Sequence, residues 1–266
     1  MLQALRQIFA RGSSALAAAI PAGERIYAVG DIHGRCDLFE ALVSAIDEDD
    51  ATSPPAATTV ILLGDLVDRG ADSAGVIALA RDWQQRRRVR ILAGNHEEMF
   101  LRSFDSLEIF RHFLRHGGRE TVLSYGIDRA EFAKADLEEA QQMMREAVPA
   151  ADIAFLEGFE DMIDIGDYLF VHAGIHPGKP VEEQKVNDLR WIREPFLSHP
   201  ESYGQVVVHG HTICDAPEDC GNRIGIDTGA FMSGRLTAIV LEGTQRRYLE
   251  AVEDEGGTIA TAALAV

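Results

Sequence analysis

The chain has 266 residues, 46% hydrophobic and 26% charged, enough for one large α/β domain or two small ones and ordinary for a globular protein. Its formal net charge of −18 argues against nucleic acid or an anionic membrane as the main partner. It leaves room for an anionic substrate, because bound dications and a few arginines can reverse the sign locally.

No apolar run is long enough to span a bilayer. Cys36, Cys214 and Cys220 make neither a disulfide framework nor C-x-x-C zinc spacing. A Cys214–Cys220 pair is conceivable, but buried or incidental thiols in a reducing compartment fit better.

Residues 1–23 read as an N-terminal arm. Leu2, Leu5, Ile8 and Phe9 have helical spacing beside Arg6 and Arg11, and Ser13 to Ile20 is small and apolar. That apolar part is short for an export signal and comes after an amphipathic stretch, so the expected location is cytoplasmic, with export the lesser reading. No Pro/Gly/Ser linker divides residues 24–252, which are expected to form one domain, with 253–266 a frayed tail.

From Ile26 the pattern is strand, loop, helix, repeated. Ile26-Tyr27-Ala28-Val29 is a buried strand leading into Gly30-Asp31-Ile32-His33-Gly34. Leu38, Leu42 and Ile46, with Phe39 and Val43, mark an amphipathic helix. Thr59 to Leu63 is a second strand ending in Gly64-Asp65-Leu66-Val67-Asp68-Arg69-Gly70, and Asp72 or Ser73 can cap the next helix. Val89 to Ala93 is a third strand, ending in Gly94-Asn95-His96-Glu97. The alternation implies parallel pairing, and all three polar motifs stand at the carboxyl ends of strands, where ligands bind in open α/β sheets.

Residues 99–159 look mainly helical, broken at Gly117-Gly118 and stopped at Pro149, and read as a helical insertion. Strand character then returns. Met162 to Ile165 and Tyr168 to Val171 flank the hairpin signal Gly166-Asp167, and the second run leads into His172-Ala173-Gly174. Val206 to Val208 leads into His209-Gly210-His211-Thr212. Runs near 223–226, 236–241 and 246–250 complete a largely antiparallel set. The expected fold is α/β: two mixed β-sheets packed face to face, flanked by helices, with the helical insertion between the third and fourth motifs.

The polar strand ends together supply Asp31, His33, Asp65, Asn95, His172 and His211. Singly, each has a plainer reading, as a turn cap, a helix cap or a loop histidine. Together they are the carboxylates, imidazoles and amide oxygen that suit a pair of divalent first-row ions. Asp31, His33 and Asp65 are assigned to one ion. Asp65, bridging, with Asn95, His172 and His211, is assigned to the other. Two such ions ~3.5–4 Å apart activate a shared water and clamp an in-line displacement. His96 can protonate a leaving alkoxide, Asp68 can hold its tautomer, and Arg69 can donate to phosphate oxygens. Arg193 is a second candidate clamp, with a solvated or structural arginine nearly as good a reading. His112 and His116, four apart, lack the acid of a metalloprotease helix and read as surface residues.

Gly-Asp-Ile-His-Gly, Gly-Asp-Leu-Val-Asp-Arg-Gly, Gly-Asn-His-Glu, His-Ala-Gly and Gly-His-Thr occur in this order. From Ile26 to Leu241 the chain resembles the phosphoprotein phosphatase family of calcineurin-like metallophosphoesterases, in its small bacterial and lambda-type branch. The resemblance implies a sheet-sandwich fold and direct in-line attack by hydroxide bridging the metals, without a phosphoenzyme. His96 matches the family's general acid, Asp68 its partner and Arg69 a phosphate contact, while Arg193 matches a looser Trp-x-Arg pattern. The ligand histidine is carried onto His211, after the glycine, rather than His209 before it. Ile213 stands where broader metallophosphoesterases often have a further histidine.

The expected activity is hydrolysis of phosphomonoesters, with phosphoserine or phosphothreonine in proteins as the natural class and dual specificity open. Manganese is the expected ion, with Fe, Zn or Ni as alternatives. Expected partners are phosphorylated proteins or peptides and small phosphoesters, on a monomer or small homo-oligomer. One rival is a symmetrical dinucleoside tetraphosphate hydrolase. Such enzymes tend to have a small residue where Asp68 stands and Asp where Glu97 stands, so both residues favour the monoesterase. The other rival is a metal-bound scaffold without catalysis.

Overall fold

A computed structural model describes residues 17–264. The helical pattern of Leu2 to Phe9 lies outside them. Two mixed sheets form the frame. In the first, the order is β11-β10-β9-β1-β2-β3, with β1 (Glu24–Val29), β2 (Ala57–Leu62), β3 (Val89–Ile91), β9 (Arg235–Glu242), β10 (Gln245–Glu253) and β11 (Ile259–Leu264). In the second it is β4-β5-β6-β8-β7, with β4 (Met162–Ile165), β5 (Tyr168–Val171), β6 (Val206–His209), β7 (Glu218–Asp219) and β8 (Arg223–Gly225).

Alternation along each strand sorts side chains into layers. Ile26 and Ala28 of β1, with Ile61, Phe170, Val208 and Ile239, fill the space between the sheets. Tyr27 and Val29 point the other way, into the core beneath the helices. There α1 (Cys36–Thr52) buries Leu38, Phe39, Leu42, Val43 and Ile46, and α2 (Ser73–Arg86) buries Val76, Ile77, Ala80 and Trp83. Leu169, Val171 and Val207 form a third core on the outer face of the second sheet. Strands buried on both faces read as near-continuous apolar runs, which is why β1, β2, β5 and β6 stand out in the sequence.

β1, β2 and β3 are parallel, with Glu24 to Val29 paired against Ala57 to Leu62 in register. In the second half the expected antiparallel pairing holds for β4–β5, β7–β8, β9–β1, β9–β10 and β10–β11, but β5, β6 and β8 run parallel, and there the expectation needs correction. The connections explain this: 34 residues (172–205) separate β5 from β6, room for a crossover that includes α9 (Val186–Trp191). The predicted hairpin is present as antiparallel β4–β5, turning at Gly166 with φ 61.

The tail expected to fray after Glu253 instead forms β11, in a six-residue antiparallel register with β10. Ala and Thr give it little apolar signature, and backbone pairing to the open edge of β10 holds it in place. Of the arm, residues 17–23 are described. Ile20 is 2% exposed in the inter-sheet core, and its N–H donates to Gly243 O at 2.9 Å. No helix among the described residues is long and apolar enough to cross a membrane.

The block 99–159 takes in the end of α3 (Asn95–Ser103) and all of α4 (Leu107–Phe113), α5 (Arg119–Ser124), α6 (Arg129–Phe132), α7 (Leu137–Ala147) and α8 (Ala150–Glu157). Between α4 and α5 the helix kinks at Gly117, φ 107, so the expected break falls where the glycines are. His112 and His116 lie exposed nearby, in keeping with the surface reading.

Candidate metal centre and active site

Parallel pairing brings the motifs to one rim. Asp31, Asp65 and Asn95 come directly after β1, β2 and β3 at the carboxyl edge of the first sheet; His172 and His211 come after β5 and β6 of the second. The five non-glycine residues with positive φ among the described residues are His33, Asp65, Asp68, Arg69 and His211, at 47°, 50°, 75°, 70° and 63°. All five are site residues named from the sequence. Side chains held in this costly region persist where surrounding structure over-determines them, as at functional sites. The motif glycines allow the close approach: a Cβ on Gly94 would lie 2.1 Å from Asp65 Oδ1, and one on Gly210 would lie 2.0 Å from Asp31 Oδ1.

Asp65 stands between two donor groups. Its Oδ2 is 3.5 Å from His33 Nε2 and 4.0 Å from His96 Nε2, while its Oδ1 is 3.4 Å from His172 Nε2. Two triads thus share it, His33–Asp65–His96 and Asp65–His172–His211. Asn95 Oδ1 joins the second, 3.1 Å from His172 Nε2 and 2.8 Å from His211 Nδ1. Asp31 lies in neither triad; its carboxylate accepts the His211 backbone N–H at 3.0 Å. His96 therefore stands close enough to the first group to offer a donor, a position that sequence reasoning reserves for Asp31.

Backbone carbonyls set the tautomers. His33 Nδ1 donates to Val67 O and His172 Nδ1 to Leu63 O, each at 2.8 Å, which turns both Nε2 atoms toward Asp65. Burial keeps His33 neutral, its pKa lowered to about 3, and does the same for His211 with help from His172.

The donor set fits divalent cations. Asp31, Asp65, Asp68, Glu97 and Asp227 are each at most 2% exposed. Burial, then Asp227 and Asp65, pushes the Asp31 carboxyl well up, and burial raises Asp227 to about 6. Carboxylates crowded above their ordinary range gain most from a bound cation. Asp65 goes the other way: burial would raise it, but His172 and His96 hold it well below the usual range. Mixed oxygen and imidazole donors suit first-row divalent ions.

Beside this cluster, His96 Nδ1 donates to Asp68 Oδ2 at 2.6 Å. Burial would lower the His96 pKa, but the Asp65 and Asp68 carboxylates outweigh it and raise it. Asp68 is held in turn by the insertion and by α2: Thr121 Oγ1 donates to its Oδ1 at 2.6 Å, and its backbone N–H reaches Thr121 Oγ1 at 2.8 Å and Ser73 Oγ at 3.0 Å. Arg69 spans the mouth, with Nη1 2.9 Å from His33 Nε2 and Nη2 3.0 Å from His96 Nε2. Exposed Arg193 reaches the His211 carbonyl at 3.4 Å.

His209 stays out of both triads. It is buried edge-on against Phe196, with Nε2 3.4 Å from Arg223 Nη1. The structure also brings in groups that the sequence does not assign. Glu97 is fully buried and accepts the backbone N–H groups of Gly94, Asp65, Leu66 and Val67 at 2.7–3.3 Å, tying the second motif to the third. Asp227 has a legible signal, since Asp-Thr-Gly after β8 repeats the strand-end pattern. Thr121 and Gly117 have none, being ordinary residues inside a helical block.

The family model for calcineurin-like phosphoesterase matches residues 24–224. Serine/threonine-protein phosphatase 1 of Salmonella typhimurium is 30% identical over 218 residues, covering 80% of this chain and 89% of the relative. The asymmetrical bis(5'-nucleosyl)-tetraphosphatase PrpE of Anoxybacillus flavithermus is 26% identical over 231 residues, covering 79% and 88%. A solved structure of a candidate diadenosine tetraphosphatase superposes with a TM-score of 0.60 at 21% identity, covering 92% of this chain and 98% of that one. A cold-active protein tyrosine phosphatase gives 0.56 at 20% identity, covering 91% and 81%. The two structural likenesses show the fold. With its strand-end motifs gathered around a shared carboxylate and its match to the family over residues 24–224, the chain belongs to the calcineurin-like phosphoesterases and is a metallophosphoesterase.

Proposed function

We propose that this enzyme is a phosphomonoesterase acting on phosphoserine and phosphothreonine in proteins, with phosphotyrosine and small aryl phosphates as further substrates. The observation that carries this reading is the His96–Asp68 pair, a buried imidazole and carboxylate joined at 2.6 Å. Releasing serine or threonine expels an alkoxide, a base strong enough to need a proton in the transition state. Releasing a nucleotide expels a phosphate, whose last pKa is only about 6, so a built proton donor gains little there.

Asp31, His33, Asp65, Asn95, His172 and His211 are the residues proposed to hold two divalent ions, with Mn2+ first and Fe, Zn or Ni as alternatives. The ions would supply an activated water and neutralise charge on the phosphoryl group. The chain's own residues do the rest. Asp65 presents one oxygen to each donor group and so fixes their spacing. Arg69 offers a planar fork at the mouth, and phosphate oxygens match that geometry bidentately. When the fork turns onto phosphate, His96 Nε2 is released. Asp68 then favours a proton on that nitrogen, aimed at the leaving oxygen. Arg193, on the rim, is the weaker phosphate contact.

The second reading, dinucleoside tetraphosphate hydrolysis, rests on the likeness to the PrpE relatives. Asp68 and Glu97 weigh against the symmetrical enzymes, and the His96–Asp68 pair weighs against nucleotide release by either cut. The test is steady-state cleavage by the Mn2+-loaded enzyme of a phosphoserine peptide against diadenosine tetraphosphate, with nucleotide products resolved. We expect kcat/KM to favour the phosphopeptide. A clear preference for the dinucleotide, giving ATP and AMP or two ADP, would overturn the reading. Release of phosphate from neither substrate nor p-nitrophenyl phosphate would leave a metal-binding scaffold. The three unpaired cysteines suit the proposed cytoplasmic location.

A further inference from the structure

We infer that Phe231 is a positioning residue for Arg69, holding the guanidinium by its aromatic face at the mouth of the site, from where its fork turns onto phosphate. The inference rests on the reading of Arg69 as a phosphate contact. The ion pairs within the site join His33, His96 and His172 to Asp65, and His96 to Asp68; Arg69 is in none of them. Its positive charge is thus left free for an incoming anion, but an arginine without a carboxylate partner has many rotamers to lose on binding. Besides its contacts with His33 and His96, which it gives up to phosphate, two features restrict it. Gly117 closes over its stem: the Arg69 N–H donates to Gly117 O at 3.1 Å, and a Cβ on Gly117 would lie 2.6 Å from Arg69 Cγ. The Arg69 Cζ sits 4.6 Å from the centre of the Phe231 ring, within cation–π range.

Phe231 is itself well placed. It sits in the short helix α10 (Ala230–Ser233), bracketed by Gly229 and Gly234, both left-handed at φ 70 and 66. The Gly229 N–H donates to Asp227 Oδ1 at 2.9 Å and Ser233 Oγ donates to Thr228 O at 2.7 Å, so the turn is pinned at both ends. The ring meets His33 nearly edge-on, 5.4 Å between centres at 83°. It therefore packs against both the phosphate-gripping cation and a proposed metal ligand while only partly buried itself. A ring face attracts a guanidinium without neutralising its charge, whereas a carboxylate there would compete with the substrate.

The experiment uses the Mn2+-loaded enzyme, inorganic phosphate and p-nitrophenyl phosphate. Phosphate Kd is read by calorimetry, and kcat and KM from turnover. Phe231→Leu keeps apolar bulk and removes the ring face. It should raise phosphate Kd and KM about threefold to tenfold and leave kcat within about twofold. Phe231→Tyr and Phe231→Trp should restore wild-type values to within about twofold, because each retains a ring face. Arg69→Ala should weaken phosphate more than Phe231→Leu does, and adding Phe231→Leu to it should change nothing further. Equal effects of Leu and Tyr, or additive losses in the double variant, would overturn the inference by showing that Phe231 acts through packing. A silent Phe231→Leu beside a damaging Arg69→Ala would overturn it while sparing the reading of Arg69. A silent Arg69→Ala would overturn both.

Discussion

Asp68→Asn isolates the charge behind His96. Asp68 lies between two short hydrogen bonds, His96 Nδ1 to Oδ2 and Thr121 Oγ1 to Oδ1, each 2.6 Å. An asparagine can occupy the same volume, with its amide oxygen toward His96 and its NH2 toward Thr121. The Thr121 hydroxyl can then turn to Ser73 Oγ, 2.9 Å away. Geometry and hydrogen-bond count survive, and the negative charge is lost. A charge-assisted hydrogen bond is worth about 1–1.5 kcal/mol more than a neutral one, which corresponds to roughly tenfold in rate when the imidazolium must form. The expectation is therefore a fall of about tenfold in kcat for a phosphoserine peptide, with a much smaller fall for p-nitrophenyl phosphate, whose leaving group needs little protonation. The shift in pH has a definite sign. Asp68 helps raise the His96 pKa, so its neutral replacement lowers that pKa, and the alkaline limb of the kcat profile, where His96 loses its proton, moves to lower pH. His96→Asn sets the scale, costing about 10²–10⁴ on the peptide with the same leaving-group dependence. The assay is steady-state kcat against leaving-group pKa over a series of aryl and alkyl phosphates. Equal losses across the series for both variants, or an unmoved alkaline limb in Asp68→Asn, would refute the proton-donor role.

Asp65→Asn removes the carboxylate shared by both triads, and metal analysis should show both ions lost together; retention of one full equivalent would contradict the bridging role. Glu97→Ala strips the partner from four backbone N–H groups in a fully buried loop pair, so urea unfolding should register about 3–5 kcal/mol of lost stability, with little change expected if those amides find water. His209 is held neutral by burial, its pKa lowered to about 4. With an unfolded value near 6.5, it contributes stability in full above that pH and loses it progressively as pH falls from there through 4. His209→Gln should therefore reduce the stability difference between pH 7 and pH 5 by about 2 kcal/mol, measured by urea unfolding at each pH.

The parts of this molecule that can be read from sequence are those where one local pattern settles the matter. Strands buried on both faces write continuous apolar runs, and their polar ends come immediately after, so Asp31, Asp65, Asn95, His172 and His211 are legible together. The helical insertion is legible as a block but not as a contributor, because Thr121 meets Asp68 across 53 residues of sequence and Gly117 meets Arg69 through a kink. No periodicity encodes such a meeting. The strand β11 escapes sequence reading for a different reason: its Ala and Thr residues bury little, and its order comes from backbone pairing with β10. The parallel run of β5, β6 and β8 is misleading because short strands and turns resemble a meander until the crossover is seen. His96 reads as a proton donor from its neighbour Asn95; its nearness to the Asp65–His33 pair is a fact of three dimensions.

The donors are divided between two sheets that meet across an apolar interior, with Arg246 of the first also reaching Tyr168 and Asp219 of the second. His33 and Asp65 leave the first sheet; His172 and His211 leave the second, more than 100 residues later in the chain. An ion held at the second triad would act as a releasable cross-link between halves of the fold that no disulfide joins. Its stabilisation would obey mass action, about 2.7 kcal/mol at a hundred times its dissociation constant. Metal supply would then set the lifetime of the folded chain as well as its activity, and a chelator would loosen the seam between the sheets before either sheet came apart.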